Sequence, residues 1–261
     1  MATIVVTGGS SGVGLAAAKQ FTARGDKVIL VGRDPRRLEA AAQATKAAAR
    51  FRTDFESLSE VRELAGALAG ERIDVLANNA GGMVGEYRRT VDGLEASMQS
   101  NHLAPFLLTS LLREELRDAR VVNTASQAHR RAAPDPANLN GDPARYSSWT
   151  TYSAVKSCNV LFAAEAARRW PDILSVSFHP GVVRTNFGTG ALTRFFFRYA
   201  PFLSTPEEAA ERLVWLATAP REELVNGGYY ENNRLRTPAK HARDPELAAR
   251  LWAASTEAVT E

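Results

Sequence analysis

Tyr152 and Lys156 lie four residues apart in the segment Tyr-Ser-Ala-Val-Lys. On an α-helix, residues i and i+4 share one face, so this spacing brings a phenol and an ammonium group together. A free phenol has a pKa of about 10 and keeps its proton near neutral pH. A positive charge at ~5 Å, with an effective dielectric constant of about 20, would stabilise the phenolate by roughly 3 kcal/mol, or about two pKa units. We therefore expect Lys156 to lower the pKa of Tyr152 for proton transfer, although unrelated surface side chains often share this spacing.

A glycine-rich turn near the start of the chain gives this pair a context. Thr3–Thr7 has the β-branched composition of a buried parallel strand, and residues 8–14 read Gly-Gly-Ser-Ser-Gly-Val-Gly. A helical pattern (Leu15–Arg24) and a second strand (Lys27–Val31) follow. This order is typical of dinucleotide binding, because glycines let the backbone approach a pyrophosphate and the helix N-terminus offers it unpaired N–H groups. A turn that only links strand to helix is the alternative.

Length and composition fit one large α/β domain, residues 1–261. The chain has 45% hydrophobic and 23% charged residues and a net charge of +3, which fits a soluble globular protein and does not indicate a nucleic-acid surface. The single cysteine, Cys158, excludes an intrachain disulfide, fits a reducing compartment and is expected to pack within a helix. The N-terminus enters a strand without a leader, and no apolar run could span a bilayer. The sequence therefore predicts a cytoplasmic protein without a transmembrane segment.

Strand and helix patterns alternate along the rest of the chain. This alternation predicts a single Rossmann-type, doubly wound parallel sheet with helices on both faces and ligands beyond the carboxyl ends of its strands. The further strands are expected at Ala49–Thr53, Ile73–Asn78, Arg120–Thr124, Leu174–Phe178 and near Gly228–Glu231. The further helices are expected at Pro35–Lys46, Leu58–Ala69, Val91–Leu116, Thr151–Arg168 and Pro206–Ala219.

Several short motifs follow one another in an order that resembles the short-chain dehydrogenase/reductase family over nearly the whole chain. They are Thr7-Gly-x-x-x-Gly12-x-Gly14, Asp54-Phe55, Asn78-Asn79-Ala80-Gly81, Asn101, Ser126, Tyr152-x-x-x-Lys156, and Pro180-Gly181 with Thr185. Each string is short, so the resemblance depends on their joint order and on their positions at strand ends. Asn101–Thr109 and the tail around Gly228-Tyr229-Tyr230 and Leu251-Trp252 resemble the retinol dehydrogenase-like branch.

The resemblance implies a catalytic set and a cofactor site. Tyr152 would transfer the proton of the substrate oxygen, and Ser126 would hydrogen-bond that oxygen. Asn101 would hold a water that links Lys156 to solvent, and Lys156 would also bind the nicotinamide ribose. The residues expected to bind the cofactor are Gly8, Ser10, Ser11, Gly12, Val13, Gly14, Arg33, Arg37, Asp54, Phe55, Asn79, Ala80, Gly81, Tyr152, Lys156, Pro180, Gly181, Val183 and Thr185. Plainer roles remain open: Ser126 as a cap of its strand end, Asn101 as a partner of helix backbone, and Asp54 as a turn residue.

The end of the second strand bears on the choice of cofactor. In the family, an acidic residue there selects NAD; Gly32 takes that position here, and Arg33 follows it. A guanidinium matches a phosphate in charge and donor geometry, and Arg37 lies one turn further on. This pattern favours NADP(H) over NAD(H). Against it, Asp34 could compete for the ribose or pair with Arg33, and Ser11 stands where some NADP-binding members carry a basic residue.

Residues 187–205 are expected to form a lid over an apolar substrate, because Phe195–Leu203 is rich in aromatic side chains. A helix packed on the domain, a subunit contact, and brief membrane contact through Arg194 and Arg198 are the alternatives. No metal site is expected, because the histidines lack the spacing of metal ligands.

The chain is therefore predicted to be an NADP(H)-dependent oxidoreductase that interconverts an alcohol and an aldehyde or ketone, acting on a small, apolar carbonyl or alcohol substrate. NADP preference favours the direction of reduction. A reductase of carbon–carbon double bonds that uses the same residues is one alternative. A non-catalytic NADP(H)-binding regulatory module is the other. The resemblance also suggests a homodimer or homotetramer paired through the helix that carries Tyr152.

Overall fold

A computed structural model describes residues 1–183 and 204–260. Its strands form one sheet in the order β3-β2-β1-β4-β5-β6-β7-β8. The strands are β1 (Thr3–Thr7), β2 (Lys27–Gly32), β3 (Ala49–Arg52), β4 (Val75–Asn78), β5 (Arg120–Thr124), β6 (Leu174–His179), β7 (Tyr229–Glu231) and β8 (Arg234–Arg236). β1 to β7 pair in parallel, and β8 pairs antiparallel with β7. The predicted α/β fold with a doubly wound parallel sheet is confirmed, and β8 adds an antiparallel strand at one edge.

Helices cover the sheet on both faces. The described α-helices are α1 (Gly12–Ala23), α2 (Pro35–Thr45), α3 (Leu58–Leu68), α4 (Ala96–Met98), α5 (Ala104–Leu111), α6 (Ser148–Arg169), α7 (Pro206–Thr218) and α8 (Pro245–Ala258). Several begin at strong local signals. For α7, Thr205 and Glu208 form a reciprocal capping box around Pro206.

The two faces of the sheet bury separate hydrophobic cores. In β1, Val5 packs in one core with α3, α5 and α6, while Ile4 and Val6 pack in the other with α1, α2 and α7. Successive side chains of a strand point to opposite faces, so a strand covered on both sides must be apolar throughout. This is why the sequence of β1 shows no polar alternation, and why the carboxyl ends of the strands are left as the place for a ligand.

The structure divides the predicted helix Val91–Leu116 into shorter pieces. Gly93 lies in a turn with a φ of +75°, and the Glu95 carboxylate accepts hydrogen bonds from the first N–H groups of α4. A π-helical segment, Gln99–Leu103, then joins α4 to α5, which ends at Leu111. Apolar composition alone did not predict the break, because it does not distinguish an α-helical from a π-helical turn.

Two elements near the C-terminus were not predicted, although both have local signals. Asn232 and Asn233 have φ values of +50° and +59°, the left-handed conformation that a two-residue hairpin turn between β7 and β8 requires. Asp244 accepts hydrogen bonds from the first N–H groups of α8, and Pro245 occupies its first position.

Some predictions fall outside the described residues. These are Thr185, the arginines Arg194 and Arg198, the aromatic run Phe195–Leu203, and nearly all of the predicted lid. Val183 and Ser204, the described residues on either side, pair in a parallel bridge. Within residues 1–183 and 204–260, no helix combines the length and the hydropathy needed to cross a membrane.

Candidate active site

The carboxyl ends of neighbouring strands bring the predicted site residues to one edge of the sheet. Gly8 follows β1, Asn79 follows β4, Ser126 lies just beyond β5, and Pro180 follows β6. These four strands are adjacent in the sheet and parallel. Residues that are up to 172 positions apart in sequence therefore meet along one rim, as expected for this class of sheet.

Ser126, Tyr152 and Lys156 form one cluster on this rim, in which Tyr152 and Lys156 are buried and Ser126 is half-buried. The Tyr152 and Lys156 side chains lie one turn apart on α6, and the residues are 8% and 3% exposed. Nζ of Lys156 is 5.5 Å from the centroid of the Tyr152 ring and donates a 3.1 Å hydrogen bond to the Thr124 carbonyl. A side-chain hydrogen bond joins Tyr152 to Ser126. The residues expected to contact the substrate oxygen thus share one small volume.

The expected lowering of the Tyr152 pKa is wrong. Burial raises the pKa of Tyr152 to about 12, and the hydrogen bond with Ser126 opposes this only in part. Burial also lowers the pKa of Lys156 to about 8. The spacing argument placed a charge near the ring but left out the desolvation of both groups, which disfavours both ionised forms. At neutral pH the cluster therefore holds a protonated phenol beside an ammonium group.

Asn101 lies within the π-helical segment, and its side chain forms hydrogen bonds with backbone groups. Its Oδ1 accepts a 2.8 Å hydrogen bond from the N–H of Gly82, and its Nδ2 donates to the carbonyls of Gly82 (3.1 Å) and Ser97 (3.0 Å). A Cβ on Gly81, which has a φ of +146°, would overlap Asn101 Oδ1. The side chain therefore fulfils the plainer role, as a partner of helix backbone, and also fixes the loop after β4.

The glycine-rich turn has the backbone geometry expected of a phosphate site. Gly8 and Gly12 have φ values of +67° and +52°, and a Cβ on Gly14 would overlap the Gly8 carbonyl oxygen. Ser11, the residue before α1, makes no side-chain hydrogen bond to the helix, so the first-turn N–H groups are available to an anion. Thr7 Oγ1 accepts 3.0 Å bonds from the N–H groups of Asn79 and Ala80, which joins this turn to the loop after β4.

A cleft of about 530 Å³ opens beside the turn. The predicted cofactor residues that line it are Gly8, Ser10, Ser11, Arg33, Arg37, Asp54, Phe55, Ala80 and Gly81. Its size, its glycine-lined wall and its basic residues fit the adenosine half of a dinucleotide. The other predicted cofactor residues within the described chain lie outside its lining: Gly12, Val13, Gly14, Asn79, Tyr152, Lys156, Pro180, Gly181 and Val183.

A cluster of one acidic and two basic side chains in the cleft was not predicted from the sequence. Glu56 accepts two hydrogen bonds from the Arg88 guanidinium and lies 3.3 Å from Nη1 of Arg33. The Arg88 hydrogen bond lowers the pKa of Glu56, so this carboxylate is charged at neutral pH. Arg33 therefore pairs with Glu56 and not with Asp34. No spacing rule pointed to Arg88, because it reaches the cleft through tertiary packing of the loop after β4.

Asp34 and Asp54, the two acidic residues considered in the sequence as cofactor contacts, both accept hydrogen bonds from backbone N–H groups. Asp34 caps α2 by accepting hydrogen bonds from the N–H groups of Arg36 (2.9 Å) and Arg37 (3.0 Å). Asp54 Oδ1 accepts a 3.1 Å hydrogen bond from the Glu56 N–H, as expected of a turn residue. Asp54 also lines the cleft. Both carboxylates are therefore held by local structure, and both residues line the cleft.

The loop after β6 is fixed by a side chain of α7. Arg212 donates a hydrogen bond to the Pro180 carbonyl. Gly181 has a φ of +98°, and a Cβ there would overlap Arg212 and lie 2.9 Å from Ser204 Oγ. Glycine is therefore required where this loop leaves the rim.

An aromatic residue of α6 lies against the phenol, and a second aromatic pair joins the segment before α6 to the loop after β4. Trp149 is 44% exposed and stacks on Tyr152, with ring centroids 6.1 Å apart and an angle of 28° between the planes. The Tyr146 hydroxyl donates to the Val84 carbonyl at 2.9 Å, and its ring meets Tyr87 edge to face at 5.7 Å. Among the described residues, no group of His, Cys, Asp and Glu side chains is arranged to hold a metal ion.

Comparison with known proteins supports an origin shared with oxidoreductases. The family model of short chain dehydrogenases matches residues 2–193. The chain is 49% identical over 264 residues to a candidate daunorubicin C-13 ketoreductase, DnrU, of Streptomyces sp. (strain C5), covering 98% of this chain and 92% of that protein. It is 34% identical to human retinol dehydrogenase 13, covering 98% and 84%. A crystal structure of an uncharacterised protein from Mycobacterium paratuberculosis superposes with a TM-score of 0.84 at 32% identity, covering 100% of this chain and 94% of the other.

Proposed function

The chain belongs to the short-chain dehydrogenase/reductase family, in its retinol dehydrogenase-like branch, and from that membership we propose an NADP(H)-dependent enzyme that reduces an apolar ketone or aldehyde to an alcohol. Its relatives make it an oxidoreductase acting on alcohol and carbonyl groups. One observation carries the proposal: Ser126, Tyr152 and Lys156 are clustered at the sheet rim that also carries the glycine-rich turn.

The residues of the cluster can carry out the proton transfer of a carbonyl reduction. Bound NADPH would supply the hydride to the carbonyl carbon. The Ser126 hydroxyl would hydrogen-bond the carbonyl oxygen and stabilise the charge that develops there. Tyr152, which keeps its proton at neutral pH, would donate that proton to the same oxygen. The Lys156 ammonium, 5.5 Å from the ring centroid, would stabilise the phenolate that remains.

The cleft supports a preference for NADP(H) over NAD(H). Arg33 follows β2 and Arg37 lies on α2, and both line the cleft; Arg88 also lines it and shares the Glu56 carboxylate with Arg33. A 2′-phosphate would be attracted by these guanidinium groups, whose charge and donor geometry match it. Asp34 is committed to capping α2, so it competes less strongly for a ribose than its position in the sequence suggested.

The surroundings of Tyr152 support an apolar, aromatic substrate. An exposed indole stacked beside the proton donor offers a flat apolar surface to a planar ring system. The Streptomyces relative is named as a candidate ketoreductase, which agrees with a ketone as the group that is reduced. We extend the proposal to aromatic ketones on these grounds.

The decisive experiment removes the hydroxyl oxygen of the proposed proton donor, Tyr152. Tyr152→Phe should abolish NADPH oxidation with a panel of aromatic and aliphatic ketones, while NADPH still binds with unchanged affinity in fluorescence titration. Turnover retained in this variant would refute Tyr152 as the proton donor. Turnover by the unmodified protein of enones only, with loss of the carbon–carbon double bond, would favour the alternative reductase. Tight NADPH binding without turnover of any carbonyl or alcohol would favour the regulatory module.

Localisation and assembly belong to the same proposal. A reducing cytoplasm fits a chain whose single cysteine, Cys158, is a free thiol buried in α6. A homodimer or homotetramer formed through α6 would bury the exposed part of that helix. Light scattering coupled to size-exclusion chromatography measures the assembly directly.

A further inference from the structure

His129, three residues after Ser126, forms a side-chain hydrogen bond with the backbone of that serine. His129 is fully buried, and its Nδ1 lies 2.7 Å from the Ser126 carbonyl oxygen. Its Nε2 lies 3.2 Å from the backbone N–H of Ala239. A carbonyl can only accept a hydrogen bond and an N–H can only donate one. The two partners therefore fix one tautomer, a neutral ring with its proton on Nδ1 and a lone pair on Nε2.

The residues after Ser126 are held by a distant part of the chain. They form a 3₁₀-helix, Gln127–Arg130, and contact residues 229–241, which we call the C-terminal strap. Gln127 Nε2 donates to Glu231 at 3.1 Å, and Arg130 donates to the Thr237 carbonyl at 3.0 Å. His129 contacts the strap at three more points. Its Nε2 lies 3.2 Å from the Ala239 nitrogen, its carbonyl oxygen lies 2.9 Å from His241 Nε2, and its ring meets the Tyr229 ring edge to face with the centroids 4.7 Å apart.

We propose that His129 is a positioning residue for Ser126, through which the C-terminal strap sets the direction of the serine hydroxyl. The serine caps the same 3₁₀-helix with its own oxygen, 3.2 Å from the Ala128 N–H. A rotation of this short helix would therefore move Ser126 Oγ away from Tyr152. The inference rests on the proposed function in one respect, that Ser126 hydrogen-bonds the substrate oxygen.

The arrangement depends on the ring staying neutral. A proton on Nε2 would put two donors face to face at Ala239, which breaks the connection between His129 and the strap. Burial is the largest cause that lowers the pKa of His129, and the nearby charges of Arg130 and His241 act in the same direction. The Ser126 carbonyl and the Glu231 carboxylate oppose them. The neutral form is thus maintained at neutral pH, and protonation occurs on the acid side of the ordinary value of 6.5.

Two substitutions separate the two hydrogen bonds of the ring. His129→Asn places an amide donor near the position of Nδ1 and loses the acceptor for Ala239. His129→Gln places an acceptor near the position of Nε2, loses the donor to Ser126 and cannot titrate. We expect His129→Gln to lower kcat about tenfold, which is the effect of one lost hydrogen bond in an oriented site. The KM for NADPH should stay within about twofold of its original value, because the substitution does not touch the cofactor cleft. His129→Asn should retain more of kcat.

The pH profile gives a readout that a merely structural role would not change. The acid limb of kcat in the unmodified enzyme should disappear or shift in His129→Gln. Leu68→Ala, a buried substitution in α3 within a hydrophobic cluster that contains no residue of the strap, serves as a control for lost stability. It should lower Tm while leaving kcat and the acid limb unchanged. An unchanged kcat and acid limb in His129→Gln would overturn the proposal.

A measurement on the unmodified protein keeps the proposal testable if the variants do not fold. Long-range ¹H–¹⁵N spectra of histidine-labelled protein at pH 7 should show His129 neutral with its proton on Nδ1. An Nε2–H tautomer or an imidazolium would overturn the proposal whatever the activity. If Ser126→Ala leaves kcat unchanged while the NMR result is as expected, the assigned role of Ser126 fails and the structural coupling of His129 stands.

Discussion

The buried ammonium of Lys156 should reduce the stability of the fold in a pH-dependent way. Burial lowers its pKa from 10.5 to about 8, so holding its proton at pH 7 costs the folded state about 3 kcal/mol. This cost is present in full below pH 8, decreases as the pH rises, and is absent above 10.5, where both states are neutral. Lys156→Met should therefore raise the free energy of unfolding at pH 7 by up to about 3 kcal/mol and give no gain near pH 10.5.

Urea denaturation at the two pH values measures this difference. Lys19→Met, which removes an exposed lysine of α1, is the matched control and should show no such dependence on pH. An equal change in stability at both pH values for Lys156→Met would contradict the prediction. The variant should also lose activity, since its gain in stability comes from removing the ammonium group that the proposed mechanism uses.

A second residue-scale prediction concerns Glu56. Its carboxylate holds Arg33 at 3.3 Å and is charged at neutral pH, so it should both compete for Arg33 and repel a 2′-phosphate. Glu56→Gln, a change of nearly equal volume, should lower the KM for NADPH about tenfold and leave the KM for NADH within about twofold.

Arg33→Ala should raise the KM for NADPH by ten- to about a hundredfold. Steady-state kinetics with both cofactors measure the ratios, and equal effects on the two would show that neither residue senses the phosphate.

Residue identities were easier to predict than residue environments. The structure brings together Ser126, Tyr152 and Lys156, which were predicted from the Tyr152–Lys156 spacing and, for Ser126, from the family resemblance. The spacing did not predict the direction of the Tyr152 pKa, because burial of a particular hydroxyl depends on packing from distant elements. It also did not identify Arg88 or His129 as site residues, since each acts through contacts made only in the folded chain.

At the scale of elements, the π-helical segment Gln99–Leu103 accounts for the position of the loop after β4. Asn101 projects from this segment and holds both backbone groups of Gly82. Asn101→Ala should leave buried backbone groups without partners and lower the free energy of unfolding by about 2 kcal/mol. Since Gly81 and Gly82 line the cofactor cleft, the variant should also raise the KM for the cofactor.

A control at the opposite end of the sheet separates these effects. Asn226 likewise bonds two backbone groups, the Ser175 N–H at 2.8 Å and the Ile173 carbonyl at 2.9 Å. Asn226→Ala should lower stability without changing the KM for the cofactor. If Asn101→Ala loses stability but leaves that KM unchanged, Asn101 does not position the cleft.

Most elements followed from the sequence because their signals are local. β1 and β5 have the predicted bounds, and the remaining predicted strands shifted by one or two residues at an end. Val91–Leu116 differed because its apolar pattern continues through a cap at Glu95 and a π-helical turn. The segment that forms β8 has few apolar residues, and its three residues are exposed, so hydrophobic periodicity gave no signal there.

At the scale of the whole molecule, the cofactor should connect the two halves of the sheet. The turn after β1, the loop after β4 and the end of β2 all face the cleft, and in the strand order β1 and β4 are neighbours that separate β2 and β3 from the strands that follow β4. A ligand that binds only the folded state at a hundred times its Kd adds about 2.7 kcal/mol to stability. For a chain of 261 residues, that corresponds to a rise in Tm of roughly 5–10 °C.

Thermal unfolding with each cofactor tests this expectation together with the preference for NADP(H). At equal concentrations, NADPH should raise Tm by several degrees more than NADH, because the arginines at the end of β2 add affinity only for the phosphorylated form. Arg33→Ala should remove most of the difference between the cofactors while leaving the Tm of the ligand-free protein nearly unchanged, since Arg33 is exposed and its ion pair contributes little to stability. A larger shift with NADH in the unmodified protein would reverse the cofactor assignment and leave the fold and the family unaffected.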